Sequence, residues 1–255
     1  MRKIKKKLNF LCITFLSVLL LAGCQTISGN SLDFENDPLE PMNRTIFSFN
    51  ETMETAIIKP VAKGYRWAVP SFFRDIITNV FATLKQPAYL TNSLLQGELK
   101  DAGWVLVRTA TNLSFGFFGM FDVATDMDIP APDYDFGQTL AKWGWKEGGP
   151  YLVLPLLGPS NPRDAIGMGV DGLTDIVQWR VHDEHALVLS ALGVNALNKY
   201  ERGLDLLENL KNSSTDYYAT LRTMYKQNRQ KKINQVIQTD EDTAESYEFD
   251  FEIEE

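Results

Sequence analysis

The sequence predicts an all-α, mostly helical fold in a single domain, with at most a short extended segment near residues 151–157. Three observations carry this. Apolar residues recur at three- and four-residue spacing in four long stretches, the signature of amphipathic helices. Only Tyr151 to Leu157 is apolar without that period. About 215 residues remain between the two terminal segments described next, enough for one sizeable core, and they contain neither a repeat nor a second domain boundary.

The first element is not part of that domain. Arg2, Lys3, Lys5, Lys6 and Lys7 precede an apolar run from Leu8 to Leu21, and Leu21-Ala22-Gly23-Cys24 follows. This layout resembles a bacterial lipoprotein export signal, so residues 1–23 are expected to be removed and Cys24 to carry the lipid. The 14 apolar residues fall short of the roughly 20 needed to span a bilayer. Several acyl chains on one cysteine attach stably where one chain binds marginally. Gln25, non-acidic, matches lipoproteins sorted to the outer membrane, which places the body on its periplasmic face. Residues 24–36, polar around Ser28 to Ser31, read as a tether.

The domain is expected over residues 37–237. Ser71 is placed to cap a helix carrying Phe72, Phe73, Ile76, Ile77, Val80, Phe81 and Leu84. Pro87 should interrupt it, leaving a second piece that stops at Gly97 and makes a kinked hairpin. Glu98 to Leu113 is helical, with Ala102, Val105, Leu106, Thr109, Ala110 and Leu113 on one side. Gly116, Phe117, Phe118, Gly119, Met120 and Phe121 then set greasy side chains on a permissive backbone, ahead of a proline-bearing loop from Asp126 to Asp133. Two long helices finish the body. Asp183 to Leu210 has a stripe of Leu189, Leu192, Ala196, Tyr200, Leu204, Leu207 and Leu210. Thr215 to Val236 has Tyr218, Leu221, Tyr225 and Ile233 inward, with Arg222, Lys226 and Arg229 read as an opposite, solvated face, or else a contact for anionic headgroups or an acidic partner. Residues 238–255 form an acidic tail expected to be disordered.

The formal charge is −8, and the five bases and no acids of residues 1–23 bring the remainder to −13. Nine of its acids lie in Asp240 to Glu255, leaving −4 for residues 24–239. Nucleic acid is a poor partner for such a chain. Cys12 leaves with the signal and Cys24 is acylated, so no disulfide is expected.

Catalytic equipment is not evident. His182 and His185 are three apart rather than the four of a zinc-protease helix, and no third histidine exists. Gly167 to Gly172 matches a dinucleotide fingerprint by letter but lacks the strand that motif needs, so its glycines read as close helix packing. Gly158-Pro159-Ser160-Asn161-Pro162 lacks a nucleophile elbow's second glycine, and Ser160 reads as a helix cap. Asp133-Tyr134-Asp135 misses ligands of a calcium loop. No enzyme activity, cofactor or metal is expected.

Asp37-Pro38-Leu39-Glu40-Pro41-Met42-Asn43-Arg44, followed by Phe47, Phe49 and Asn50, resembles the opening signature of the MlaA (VacJ) lipoprotein family. Pro87, Asn92 and Leu94-Leu95-Gln96-Gly97 are similar to a second block. Asp135-Phe136-Gly137-Gln138-Thr139-Leu140, Trp143-Gly144, Gly149-Pro150-Tyr151-Leu152-Val153-Leu154-Pro155, Gly158-Pro159-Ser160 and Arg163-Asp164 are similar to a third. The similarity runs from Asp37 to about Ile176; beyond it only general helical character matches, and the Trp145 to Gly149 loop is one residue longer than the pattern. The resemblance implies a ring of helices in the inner leaflet with an amphipathic channel. It also implies removal of mislocalised phospholipid from the outer leaflet, a trimeric porin beside the ring, and a periplasmic lipid carrier that receives the lipid. The Gly116 to Phe121 segment and the 126–133 loop are candidates for a flexible channel wall. The alternative is a structural envelope lipoprotein that bridges porin and periplasmic partners without moving lipid.

Overall fold

The computed structural model describes residues 37–174 and 185–252, with side chains described over 37–172 and 190–237. The signal, Cys24, the tether and His182 lie outside these. Over the described residues the fold is all-α with one two-stranded sheet.

Helix α1 (Glu40–Met53) passes through a π-helical turn (Glu54–Ile58) into α2 (Lys59–Ala68). The wide turn precedes Pro60, whose missing amide hydrogen breaks the regular ladder. Helix α3 (Ser71–Leu95) runs unbroken through Pro87, where a kinked hairpin is the sequence expectation. Near it, Thr91 Oγ1 donates to the Pro87 carbonyl at 2.8 Å, and Gln86 Nε2 to that of Ala82 at 3.4 Å. Its N-cap is Pro70 rather than Ser71, with no side-chain cap. The stop at Gly97 is as expected. Gly97 has φ +77°, the Glu98 amide donates to the Ser93 carbonyl at 2.9 Å, and the Gly97 amide donates to that of Leu94 at 3.1 Å, a Schellman closure.

Helix α4 (Leu99–Ser114) packs back along α3. It buries Ala102, Val105, Arg108, Thr111 and Asn112, while Leu106 and Leu113 of the expected stripe are exposed. After α5 (Val123–Asp126), helix α6 (Phe136–Lys142) starts at a capping box in which Asp135 accepts from the Gln138 amide and Gln138 from that of Asp135. Strands β1 (Leu152–Leu154) and β2 (Gly158–Ser160) form an antiparallel hairpin, so the aperiodic apolar segment is one strand plus a turn. Helix α7 (Pro162–Thr174) is capped by Asn161, whose Oδ1 accepts the Asp164 amide at 2.8 Å; Ser160 stays in β2. Gly167 lets α7 close on α6, since an added Cβ would sit 2.5 Å from the Gly137 nitrogen.

Helix α8 (His185–Ser213) crosses α2 and α3, and α9 (Tyr217–Glu252) crosses α6 and β2. The α9 backbone is helical through Glu252, without a break at the expected start of the tail. The described interior inverts the usual ranking: buried polar and charged side chains outnumber buried apolar ones, and α3 buries only Gln86, Asn92 and Ser93. Among the described residues, Tyr151, Val153 and Tyr218 form a buried apolar cluster, with Ile46, Phe47 and Tyr225 against it.

Candidate functional site

A cavity of about 550 Å³ opens between α3, α7, α8 and α9. Lys85, Asp133, Asp135, Asp171, Asn195 and Lys232 supply its polar wall; Ala88, Leu157, Met168 and Leu192 supply the apolar one, with Tyr89 and Tyr134 between. The volume lies within the roughly 300–1,000 Å³ of small-molecule sites. A smaller cavity of about 110 Å³ continues along α3 past Thr78, Phe81 and Ala82, and both are lined by Lys85, Tyr89 and Asn195.

Buried ionic bonds hold the walls. Arg229 on α9 donates to Asp135 at 2.6 and 2.7 Å and to Asp164 at 2.8 Å, tying α9 to the starts of α6 and α7. Tyr225 donates to Asp164 at 2.5 Å, and Arg163 reaches the Lys146 carbonyl at 2.6 Å. Burial pushes the Asp135 carboxyl up, but the Arg229 bonds outweigh it and leave the pKa below the ordinary carboxylate value. Asp171 goes the other way: burial raises it, although it accepts from Asn92 Nδ2 at 2.8 Å and from the Phe136 amide at 3.0 Å. Burial, with Asp133, Asp135 and Asp171 nearby, pushes Tyr89 up to about 12, so it stays a hydroxyl donor. Lys232 pairs with Asp133 at 2.5 Å.

The family-motif residues form a second, adjoining network. Asn43, fully buried, donates to Asp37 at 3.0 Å and to the Tyr151 carbonyl at 2.9 Å, and accepts from the Val153 amide at 2.9 Å. Tyr218 donates to Asp37, while Arg44 bridges Glu40 and Asp216 at 2.6 Å each and lies over the Tyr218 ring. Asp37, Glu40, Asn43, Arg44 and Tyr151 thus join α1, β1 and α9, and Arg163 and Asp164 belong to the Arg229 network. Gly149, at φ +89°, packs on Pro162; Pro150 leads into Tyr151; Pro38 opens the turn before α1; and Pro155 sits exposed in the hairpin turn. The solvated-face reading of Arg222 and Arg229 is overturned. At 100° per residue they stand over Tyr218 and Tyr225, one turn on, and both face carboxylates.

None of Gly116, Phe117, Phe118, Gly119, Met120 and Phe121 lines either cavity. They form the turn after α4, closed by the Phe121 amide on the Gly116 carbonyl at 2.9 Å and by Asn79 Nδ2 on that of Met120 at 3.0 Å. A Cβ on Gly116 would lie 2.2 Å from the Phe121 carbonyl. Phe117 and Phe118 both take left-handed backbone, φ +54° and +59°, and are 67% and 79% exposed. Phe72, Phe73, Phe115 and Phe121 are exposed beside them, with Phe72 6.2 Å from Phe121. Among the described residues, no helix is long and apolar enough to cross a membrane, and no group of three or more His, Cys, Asp or Glu is placed to hold a metal ion.

The sequence reading omitted Lys85, Tyr89, Asp171 and Asn195 as site residues. The available signal was a lysine and a tyrosine four apart on α3, which places both on one face.

The model of the family described as MlaA lipoprotein matches residues 35–232, past the limit near Ile176 set by the motifs. The chain is 32% identical to the intermembrane phospholipid transport system lipoprotein MlaA of Haemophilus influenzae over 89% of its length and 92% of the relative's. It is also 32% identical to the protein of that name in Escherichia coli K12, over 82% and 83%. A solved chain from work on the structural basis for maintenance of bacterial outer membrane lipid asymmetry aligns with TM-score 0.67 and 30% identity, covering 78% of this chain and 99% of that one. An ordered set of motifs, an interior laced by the motif side chains and these matches agree: the chain belongs to the MlaA lipoprotein family.

Proposed function

We propose that this chain is an outer-membrane lipoprotein, anchored through Cys24, that takes mislocalised phospholipid from the outer leaflet through an amphipathic passage and hands it to a periplasmic carrier beside a trimeric porin. The observation that carries this reading is the cavity of about 550 Å³, charged on one wall and apolar on the other, inside a body with exposed aromatic residues. A headgroup entering hydrocarbon loses its hydrogen bonds to water without replacement; a polar wall supplies partners while the acyl chains keep apolar contact. The names of the relatives, which specify intermembrane phospholipid transport, support the same reading. The chain only lowers a barrier, so direction comes from a carrier that binds the emerging lipid more tightly.

The test is deletion in the native host followed by labelling of phospholipid amines at the cell surface. Loss of the chain is expected to raise outer-leaflet phospholipid, and re-expression to restore it. Unchanged surface labelling, together with purified protein that carries no phospholipid in native mass spectrometry, would favour the bridging lipoprotein instead. Lysophospholipid accumulating with purified protein would point to an enzyme.

A further inference from the structure

The hairpin of β1 and β2 is clasped at two points by one face of α1. Asn43 Nδ2 donates to the Tyr151 carbonyl and Asn43 Oδ1 accepts from the Val153 amide, both at 2.9 Å. Asn50 repeats the pattern at the turn: its Nδ2 donates to the Leu154 carbonyl at 2.9 Å, and its Oδ1 accepts from the Leu156 amide at 2.8 Å. Two helical turns from Asn43 to Asn50 advance about 10.5 Å and three strand residues from Tyr151 to Leu154 extend about 10 Å, so the same side of α1 reaches both ends of β1. The clasps differ in depth. Asn43 is fully buried, whereas the bond from Leu156 lies at the surface.

The turn that Asn50 holds does not favour its own shape. Leu156 stands at φ +64°, a left-handed conformation that glycine and asparagine adopt readily and leucine does not. Its neighbours in the turn are Pro155 and Leu157, so no polar side chain of the turn itself replaces the bond to Asn50. Leu156 and Leu157 are 60% and 71% exposed, yet Leu157 lines the larger cavity together with Met168 and Leu192. A side chain that is mostly exposed and still lines a cavity stands on its rim. Backbone outliers persist where the surroundings over-determine them, and such places cluster at ligand-handling sites; here the over-determining group is the Asn50 amide.

We propose that Asn50 is a positioning residue: through the Leu156 amide it holds the Leu156–Leu157 tip as the apolar lip of the larger cavity, and the lip sets access to that cavity from the hairpin side. Asn43 fixes the fold; Asn50 fixes the opening. The position of the lip stands apart from the transport reading, while its effect on lipid removal rests on that reading.

The test uses full-length lipidated protein in detergent with spin labels on Leu157→Cys and Leu192→Cys, two positions on the cavity wall, and reads the distance between them by electron paramagnetic resonance. The chain without these substitutions, whose only cysteine beyond the signal is Cys24, is the labelling blank, and helical circular dichroism is the folding control. Adding Asn50→Ala is expected to lower the ratio of held to displaced tip by about five-fold or more, the ratio set by one neutral hydrogen bond. Asn50→Asp keeps the acceptor for the Leu156 amide and should stay near the parent ratio. Should Asn50→Ala misfold, Asn50→Ser replaces it, with the same direction. In the native host, Asn50→Ala at equal protein level should raise phospholipid amine labelling at the cell surface, and Asn50→Asp should not.

An unchanged label distance in the folded Asn50→Ala chain would overturn the positioning role and leave the transport reading standing. A tip displaced equally by Asn50→Ala and Asn50→Asp would overturn the assignment of that role to the Leu156 amide. A displaced tip with surface labelling at the wild-type level would overturn the lip as a control on access. Wild-type protein that fails to lower surface labelling in the deletion host would overturn the transport reading, and the label distances would then judge the lip alone.

Discussion

Two regions of this molecule spend the same kinds of residue in opposite ways. Around α9, arginine, aspartate and asparagine are buried and bonded to one another: Arg229 to Asp135 and Asp164, Asn43 to Asp37 and two backbone groups of β1. At the turn after α4, phenylalanines point away from the protein, two of them on left-handed backbone. The first region is a set of polar bolts between elements distant in sequence. The second is an apolar face for which the described protein supplies no cover. Together they show a body whose solvent is water on one side and, in the proposed setting, lipid on the other, so burial and hydrophobicity stop being the same variable.

The contrast breaks most visibly at Arg229. Arg229→Ala leaves the buried Asp164, which keeps Arg163, and the partly exposed Asp135 without their shared cation, and breaking a buried pair from one side costs up to about 3–5 kcal/mol. Denaturant unfolding in detergent should show a loss of that size. Replacing Arg229 together with Asp135 by apolar residues should recover part of it. A loss below about 1 kcal/mol, the range of exposed pairs, would mean that the bolt carries no more than a surface ion pair.

The aromatic turn should behave in reverse. Phe117→Ser with Phe118→Ser removes two exposed rings from strained backbone, so the unfolding free energy should move by no more than about 0.5 kcal/mol, as for ordinary surface positions. Association with vesicles should fall by about ten-fold or more, because each ring buried in an apolar phase contributes about 1.5–3 kcal/mol. Flotation of the protein with phosphatidylethanolamine vesicles measures it. If stability falls and flotation does not, the rings pack on protein after all.

This contrast also explains what the sequence made legible. Helical spacing located α3, α4 and the two last helices because backbone periodicity holds whichever solvent a face meets. It misassigned faces for the same reason. Leu106 and Leu113 belong to an apolar stripe yet lie exposed, while Arg108 and Asn112 go inward to Asp122. Arg222 and Arg229 looked solvated because charge normally marks the outer face, whereas their carboxylate partners, Asp37, Asp135 and Asp164, are 65 or more residues away in sequence and invisible to a local window. Pro87 reads as a break, but α3 runs unbroken through it. The motifs named many of the residues that bolt the walls. They did not name Lys85, Tyr89 and Asn195, which become a group only when α8 crosses α3.

Acid sharpens the comparison with the smallest effect. The folded pKa of Asp135 is depressed below its ordinary 3.8, because the Arg229 bonds outweigh burial. Its contribution to stability is therefore fully present above about pH 3.8 and is lost as pH falls through the folded value. Asp171, two bonds away through the Phe136 amide, is raised by burial, so protonating it favours the folded form and offsets part of that loss. The part of the unfolding free energy that Asp135 supplies should accordingly fall as pH drops from 5 to 3, with Asp171 acting against it. Asp171→Asn, which removes the opposing carboxylate while keeping an acceptor for the Phe136 amide, should steepen the fall. Arg229→Gln should flatten it, since the Asp135 shift disappears with its cation. The aromatic turn contains no titratable side chain between Phe115 and Phe121, so vesicle flotation of the Phe117→Ser, Phe118→Ser variant relative to wild type should keep the same ratio across this range. A ratio that changes with pH would mean that the two regions are coupled through the fold rather than answering separately to water and to lipid.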